Sequence, residues 1–355
     1  MGEGDWLRAL WEGDGVGARV ARAALVPAEL LFGIVTSARA ALYSSGVFAS
    51  RPTAIPALSV GNLTVGGTGK TPLAAYFAAQ FRRAGAHPAI VLRGYGDDEP
   101  LVHRTLNPDV PVVVSPDRLA GVESARRNGC DIAVLDDAFQ HRRAGRVADV
   151  VVVSADTWRS NRQHLLPAGP WRERLPAVRR ASLAVVTRKA VSRERAESVA
   201  DAVVRAGRIP AAIVHLDASE LREVSSRATA SLDALRGASV LAIAGIGDPH
   251  AFAAQLTSRG ANVATAMFGD HYRYTAADAR ALGVRATRYD RVVCTLKDAV
   301  KLGPLWPGPT TLWYVSQRVV VERGGDAIDA VLTTTLGARS VSTHPGRPGL
   351  PGPLD

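Results

Sequence analysis

The stretch "SVGNLTVGGTGKTP", residues 59–72, decides how this chain is read. It nearly spells the phosphate-loop pattern G-x-x-x-x-G-K-[ST], but Thr64 stands where the first glycine belongs. The setting suits such a loop: "ALSV" ahead of it reads as a short apolar strand, and "KTPLAAYFAAQF" behind it opens a helix. Gly66, Gly67 and Gly69 let backbone N–H groups turn onto phosphate oxygens, and the helix N-terminus adds its positive end. Lys70 can reach the outer phosphates, and the Thr71 hydroxyl can ligate magnesium. Pro72 falls in the first turn, where a missing N–H costs nothing. The glycines nearest the phosphates are present, so nucleotide binding is expected through Thr64, Val65, Gly66, Gly67, Thr68, Gly69, Lys70 and Thr71.

A magnesium-dependent loop of this kind needs a carboxylate at the end of a neighbouring strand. "DIAVLDDAFQHRR" supplies two, because Asp136 and Asp137 directly follow an apolar run. Either would hold the ion or its waters. Aspartate is also ordinary in a surface turn after a strand. A pair of acids at the C-terminal edge of a parallel sheet, where ligands bind, favours the functional reading.

Outward from this core, the strand-like runs "ALSVGN", "PAIVLR", "VPVVVS", "DIAVLD", "DVVVVSA" and "ASLAVVT" alternate with helical stretches such as 73–84 and 117–128. Continuous Val/Ile/Leu runs joined by helices predict a doubly wound α/β fold with a parallel sheet covered on both faces. A polar stretch at 219–230 reads as a junction, after which "SVLAIAGIG", "NVATAMF", "RVVCTLKD" and "TTLWYVS" restart the alternation as a second, smaller α/β domain. The expected division is an N-terminal segment 1–50, a phosphate-loop domain 51–218, a smaller domain 219–338 and a Pro/Gly-rich tail 339–355, expected to be disordered.

Lysine and arginine outnumber acids 43 to 33 in 355 residues, a formal charge of +10 that favours anionic partners. Nucleic acid is not expected, because no recognition motif or interleaved aromatic pattern accompanies the charge. Cys130 and Cys294 lie in or beside apolar runs and read as buried reduced thiols, consistent with a cytoplasmic setting. Acids at Glu3, Asp5, Glu12 and Asp14 replace the basic start of a secretory signal. Residues 20–43 are apolar but interrupted by Arg22, Pro27, Glu29 and Arg39, which argues against a spanning helix. An amphipathic helix on a membrane surface and a helix packed on the protein's own core fit this segment equally well.

Taken in order, these motifs resemble the tetraacyldisaccharide 4′-kinase family, the lipid A 4′-kinases. The resemblance rests on "VGNLTVGGTGKTP", "RGYG" at 93–96, "DDEP" at 97–100 and "DDAFQHR" at 136–142. It continues with "LLPAGPWRE" at 165–173, "GIGDP" at 245–249, "DHYRY" at 270–274 and "TLKDAVKL" at 295–302. Threonine is usual in that family at the position of Thr64, so the loop is a family variant. The resemblance implies a P-loop NTPase-like fold that uses ATP and Mg2+. It implies transfer of the γ-phosphate to the 4′-hydroxyl of a tetraacyldisaccharide 1-phosphate, giving the bis-phosphorylated lipid A precursor. It further implies a peripheral enzyme at the cytoplasmic face of the bacterial inner membrane, held on an anionic surface by the N-terminal segment, with no obligate protein partner. The competing reading is a deviant phosphate-loop ATPase acting as a membrane-associated switch or partitioning protein, which has no need of "LLPAGPWRE" or "DHYRY".

The same resemblance implies that Asp98, paired with His271, is the catalytic base, since a carboxylate beside an imidazole can orient it and share its proton. Arg93, Arg118, Gln140, His141, Arg172 and Glu173 are implied to line the active site. Lys297 and Asp298 are open to another reading, as a helix cap. The chain departs from the family where "RGYG" and "DEP" nearly fuse, a place where the family carries roughly fifteen or more further residues, a length on the functional-loop scale. Asp97 and Asp98 therefore both stand near the base position; Asp98 is preferred because it precedes Glu99 and Pro100. Leu92, Ala138 and Leu296 replace the family's serine, glycine and glutamate without removing a proposed phosphate or metal ligand.

Overall fold

The structure is a computed structural model that describes residues 10–11, 13–94, 98–159 and 163–342. Asp97 and the tail beyond 342 lie outside the described residues. The chain enters through a long helix, α1 (Val16–Ser44), and then builds a phosphate-loop half around β1 (Ala57–Asn62). Every residue of β1 is buried, as a strand covered on both faces requires. The loop leads into α2 (Lys70–Arg83), which buries Leu73, Phe77 and Phe81 at four-residue spacing, one stripe of the helix. Those side chains join Leu58 and Val60 of β1 in one core cluster.

Next come β2 (Pro88–Leu92), α3 (Asp98–Leu106), β3 (Val112–Val114), α4 (Arg118–Arg127) and β4 (Ile132–Asp136). β5 (Ala148–Ser154), β6 (Leu183–Arg188) and α5 (Arg193–Gly207) complete this half. β1 lies between β4 and β5, parallel to both, with Val60 opposite Asp136. The strand that delivers the phosphate loop is thus the direct neighbour of the strand that delivers the paired acids.

The chain then runs through β7 (Ala211–Glu223), β8 (Thr229–Ala230), β9 (Ser239–Ala244), α6 (Pro249–Ser258) and β10 (Asn262–Met267). It ends with α7 (Ala276–Ala286), β11 (Arg291–Cys294), α8 (Leu296–Leu302), β12 (Leu312–Arg323) and α9 (Gly325–Ser342). The twelve strands among the described residues share one sheet, in the order β10-β9-β11-β12-β7-β6-β5-β1-β4-β2-β3, with β8 on β7. The division expected between 218 and 219 falls inside β7. The last helix crosses back, placing Ile328 and Val331 in the same core cluster as Leu58 and Phe77.

The register of β7 explains the shape of the sheet. Its pairing with β6 ends at His215, but it continues to Glu223 against β12, antiparallel. At its far end Arg222 faces Tyr314, and Tyr314 faces Cys294, the last residue of β11. Arg222 lies seven residue steps beyond His215, which at ~3.3 Å per residue is about 23 Å. Because β11 and β9 run parallel to β12, they run opposite to the strands of the first half. The C-terminal edges of the two halves therefore face each other across a gap.

Helix α1 is turned inside out relative to a soluble amphipathic helix. Arg22 and Glu29 face inward: Arg22 donates to the carbonyls of Leu10 (2.6 Å) and Gly13 (2.7 Å). Glu29 accepts from the Leu165 amide (2.8 Å) and pairs with His164 Nδ1 (3.0 Å). Val20, Leu30, Leu31, Ile34 and Val35 point outward, each more than half exposed. Two of the charges that interrupt the apolar run in sequence are thus withdrawn from its outer face. By length and composition alone the helix is long and apolar enough to cross a membrane.

At the end of β1, a Cβ on Gly61 would lie 2.6 Å from both the Cβ and the amide nitrogen of Phe139. Backbone cannot yield there without moving the strand that carries the loop. Gly61→Ala should cost about 1–3 kcal/mol of stability by overpacking. Denaturant unfolding checks this; an unchanged midpoint would show that the two segments separate freely.

Candidate active site

The loop between β1 and α2 is held by hydrogen bonds from three directions. Inside it, Asn62 Nδ2 donates to Thr68 Oγ1 at 2.9 Å, and Thr187 Oγ1 donates to the Thr68 carbonyl at 2.8 Å. Gly66 and Gly69 take φ of 114° and 93°, in the region that only glycine enters cheaply. A side chain at Gly69 would also strike Leu216 Cδ1 at 2.6 Å. Along its outer shoulder the loop is strapped by the "LLPAGPWRE" segment: Val65 N–H donates to the Pro170 carbonyl (2.8 Å) and Arg172 N–H to the Leu63 carbonyl (2.7 Å). Thr64 forms an antiparallel bridge with Trp171 and has no positive φ. The absent glycine is explained: this position is extended and paired, where threonine is at ease.

Lys70 is nearly covered, with its Nζ 3.7 Å from Asp137 Oδ1. Burial pushes the ammonium below its ordinary pKa, and the Asp137 charge opposes that shift. Asp137 itself has φ 48°, a strained value for a residue with a side chain, and accepts two bonds from Arg172 Nη1 (2.9 and 3.1 Å). Asp136 points the other way into the interior. Its Oδ2 lies 2.8 Å from Nε2 of the fully buried His103, and its Oδ1 accepts the Asp137 amide at 2.9 Å. Burial alone would raise the Asp136 pKa; the bond and charge of His103, with Lys70 and the Asp137 amide, reverse that and hold it below its usual value.

From the opposite side of the gap, His271 (φ 55°) reaches Asp98, the first residue of α3 in the phosphate-loop half, with Nδ1 3.1 Å from Oδ1. The two are 173 positions apart. Burial raises the Asp98 pKa, yet the hydrogen bond from His271 and the charges of Lys297, His271 and Lys301 outweigh it and bring the carboxyl to about 2. The same bond raises His271 above its usual value, against burial and Lys297. Asp98 Oδ2 is buried without a hydrogen-bond partner among the described residues. Glu99, next in the helix, is pushed up by burial and by the negative charges of Asp136 and Asp137.

The other expected lining residues divide by task. Arg118 is buried and donates to the carbonyls of Ser115 (2.9 Å) and Asp136 (3.2 Å), so it fixes the turn that carries the acids. Arg93 is close enough for its charge to act on Arg118. Gln140 Nε2 bonds the Asn62 carbonyl at 2.8 Å, at the root of the loop. His141 is half-buried and held below its usual pKa by burial, then by Arg118 and Arg146. Glu173 is engaged by both terminal nitrogens of Arg180, which lies over the Phe139 ring. The structure therefore groups Lys70, Asp137 and Arg172, sets Asp98 and His271 as a pair, and leaves Glu173 bound to Arg180. Sequence reasoning missed His103 and Thr187. A lone histidine in a helix and a threonine at a strand end carry no signal until β4 and the loop are seen to lie against them.

For a metal, Asp137 and Thr71 offer a carboxylate and a hydroxyl, while Asp136, the other expected ligand, is turned onto His103; there is no cluster of three or more His, Cys, Asp or Glu among the described residues. A sparse oxygen set suits magnesium, which keeps waters and takes the rest of its ligands from phosphates.

A glycine-rich loop from a central parallel strand onto a helix, with acids on the adjacent strand, defines the P-loop nucleotide-binding class. Comparisons with known proteins narrow the class. The profile of the LpxK family, tetraacyldisaccharide-1-P 4′-kinase, matches residues 21–100 and 96–336. A tetraacyldisaccharide 4′-kinase of Halorhodospira halophila is 38% identical over 351 residues, covering 93% of this chain and 97% of its own. One of Anaeromyxobacter dehalogenans is 37% identical over 362 residues, covering 93% and 95%. The crystal structure of LpxK from Aquifex aeolicus in complex with ATP aligns with a TM-score of 0.69 at 26% identity, over 88% of this chain and 99% of that one. The chain belongs to the tetraacyldisaccharide 4′-kinase family.

The Asp98–His271 pair can be tested without turnover. His271 should titrate above its ordinary value, and Asp98→Asn should lower it, because burial and Lys297 are then opposed by Asp270 alone. Histidine ring NMR reads both pKa values; no difference between the two proteins would dissolve the pair.

Proposed function

We propose that this chain transfers the γ-phosphoryl group of ATP to the 4′-hydroxyl of a tetraacyldisaccharide 1-phosphate. The observation that carries this reading is the Asp98–His271 pair, which the second half completes from the far side of the gap facing the phosphate loop. A switch ATPase would give that pair no task.

In this reading, loop amides and Lys70 hold the triphosphate, and Arg172 stands beside its outer end with Asp137 as its partner. Thr71, with Asp136 and Asp137 directly or through waters, would hold Mg2+, which would offset the charge of the phosphates. The acceptor hydroxyl lies between the γ-phosphate and the dyad. Asp98 orients the imidazole through Nδ1, and the proton leaves the hydroxyl for the pair as the new P–O bond forms. With Asp98 at about 2, the imidazole is the better resting place for that proton. Activity should therefore rise with pH through the raised His271 pKa, since the doubly protonated ring cannot accept.

The acyl chains of the acceptor stay in a bilayer, so the enzyme has to work at one. The exposed apolar face of α1 supports peripheral docking on an anionic membrane, at the cytoplasmic face where ATP is present. Arg39 and Arg142, both near the Tyr43 ring at the end of α1, suit headgroup phosphates.

With γ-labelled ATP and acylated disaccharide 1-phosphate, the wild type should label the lipid in a Mg2+-dependent manner. Lys70→Ala should lose at least ~100-fold in rate; near-normal turnover in that variant would reject the proposal. Paired substitution of Leu31 and Ile34 by aspartate should weaken binding to anionic vesicles by at least about tenfold while leaving ATP affinity unchanged. Equal vesicle binding would remove α1 as the docking element.

A further inference from the structure

The "TLKDAVKL" segment has no part in the reading above, and its lysines are unassigned. It forms the N-cap (Thr295) and the whole of α8, directly after β11, and α8 packs on α3, the helix that opens with Asp98 and Glu99. Asp298 is fully buried here. It accepts bonds from the Gly245 amide (3.1 Å), the Tyr274 hydroxyl (2.9 Å) and Thr295 Oγ1 (2.6 Å). These bonds tie α8 to the "GIGDP" loop and to the "DHYRY" segment that bears His271. Lys301, one turn further on, is buried beside Asp298 (3.9 Å) and over the Tyr274 ring.

Lys297 is the member of this group that is not tied down. It precedes Asp298 in the first turn of α8, is only half-buried, and makes no hydrogen bond or close ion pair among the described residues. Its charge acts on Asp98, Glu99 and His271, and across the gap on Lys189 at the end of β6. Glu99 senses Lys297 and Lys70 together, along with Asp136 and Asp137. Lys297 thus stands in the first turn of a helix that packs on α3, the helix opened by Asp98 and Glu99, on a base whose position Asp298 fixes. Asp98 is already bonded to His271, so Lys297 is not consumed by that carboxylate.

We propose that Lys297 is the cation that the second half supplies to the transferring phosphoryl group. This rests on the kinase reading above. A γ-phosphoryl group spreads charge over three equatorial oxygens in the transition state, and Lys70 approaches from the loop side only. A second cation from the opposite edge engages that charge when the halves close on both substrates, and contributes little to ATP bound to the first half alone.

The test uses the full chain with Lys297→Ala and Lys297→Arg. Lys297→Ala should lower kcat on the order of 100-fold, with the Kd for Mg·ATP changed less than about threefold. Binding of ADP with Mg2+ and aluminium fluoride, a mimic of the transferring group, should weaken by a comparable factor. Lys297→Arg should recover part of both losses, with the same melting temperature as the wild type. The proposal is overturned if Lys297→Ala keeps kcat within about threefold. It is also overturned if the loss is only a displaced acid limb of the pH profile, which would assign Lys297 to tuning the Asp98–His271 pair. Loss of thermal stability in both variants assigns it to packing and overturns it too. If the wild type labels no acylated disaccharide, the kinase reading fails, while unequal aluminium fluoride binding by wild type and Lys297→Ala still decides the role of the lysine.

Discussion

The antiparallel pairing of β7 with β12 gives this chain its cleft. β7 keeps company with β6 as far as His215 and then extends alone into the second half, where β12 covers it. A conventional parallel crossover would have aligned both sets of strands, leaving Asp98 and His271 on edges that point the same way. The ribbon reverses β12, and β11 and β9 follow it. Its backbone bonds are supplemented by a cross-strand pair, Ser219 Oγ to Ser316 Oγ at 2.7 Å, where the register shifts. Outside the ribbon and α9, the halves are joined where α8 packs on α3 and where His271 meets Asp98. Both strands belong to the cores they join: Leu216, Val319 and Val321 pack with Leu58 and Phe77, and Ala218, Leu221 and Val315 pack with Val240 and Leu256.

A second chain of contacts runs from the outer surface to the phosphate loop. Glu29 anchors α1 to the strap at His164 and Leu165, and Gly33 lies close under Leu165, where a Cβ would come within 3.1 Å of its Cδ1. Further along, the strap bonds Val65 and Leu63 through Pro170 and Arg172. A buried carboxylate on an otherwise apolar helix is costly unless it is fully bonded, and here it accepts from a backbone amide and an imidazole. The strap therefore fixes the shoulder of the loop and the seat of α1 with the same residues, and the apolar face sits at a set distance from the phosphates.

Much of this was legible in sequence because it is local. The phosphate loop, its strand and helix, and the paired acids all lie within short stretches whose periodicity and glycine placement have direct physical meaning. Their adjacency followed from the parallel sheet, and Val60 does face Asp136. The tasks of the two acids were not legible, since only packing shows that Asp136 is turned onto His103 while Asp137 faces Lys70 and Arg172. Arg22 and Glu29 read as breaks in an apolar segment because a sequence does not say which face a charge occupies. The pairing of Asp98 with His271 rested on resemblance, as no spacing rule joins residues across a reversed ribbon. Likewise β7 was read as a junction, because its polar end is exposed strand rather than loop.

The electrostatics of the cleft also favour closure as part of the chemistry. In the first half Lys70 is desolvated and balanced by Asp137, which Arg172 shares. Arrival of a triphosphate adds several negative charges beside these carboxylates, while Arg118 is committed to backbone carbonyls. Magnesium would offset part of that charge, and on the proposed reading the phosphoryl group leaves the loop toward the Asp98–His271 pair. Asp98 and Glu99 would repel it there if they stood alone. The second half brings His271 and two lysines, Lys297 and Lys301, to the same edge, and their charges already hold Asp98 ionised at about 2. On the proposed roles, an edge that carries its own carboxylates receives a phosphoryl group more readily with these cations in place. On this reading the reversed ribbon does more than complete a dyad: it makes the far side of the transfer electrostatically passable.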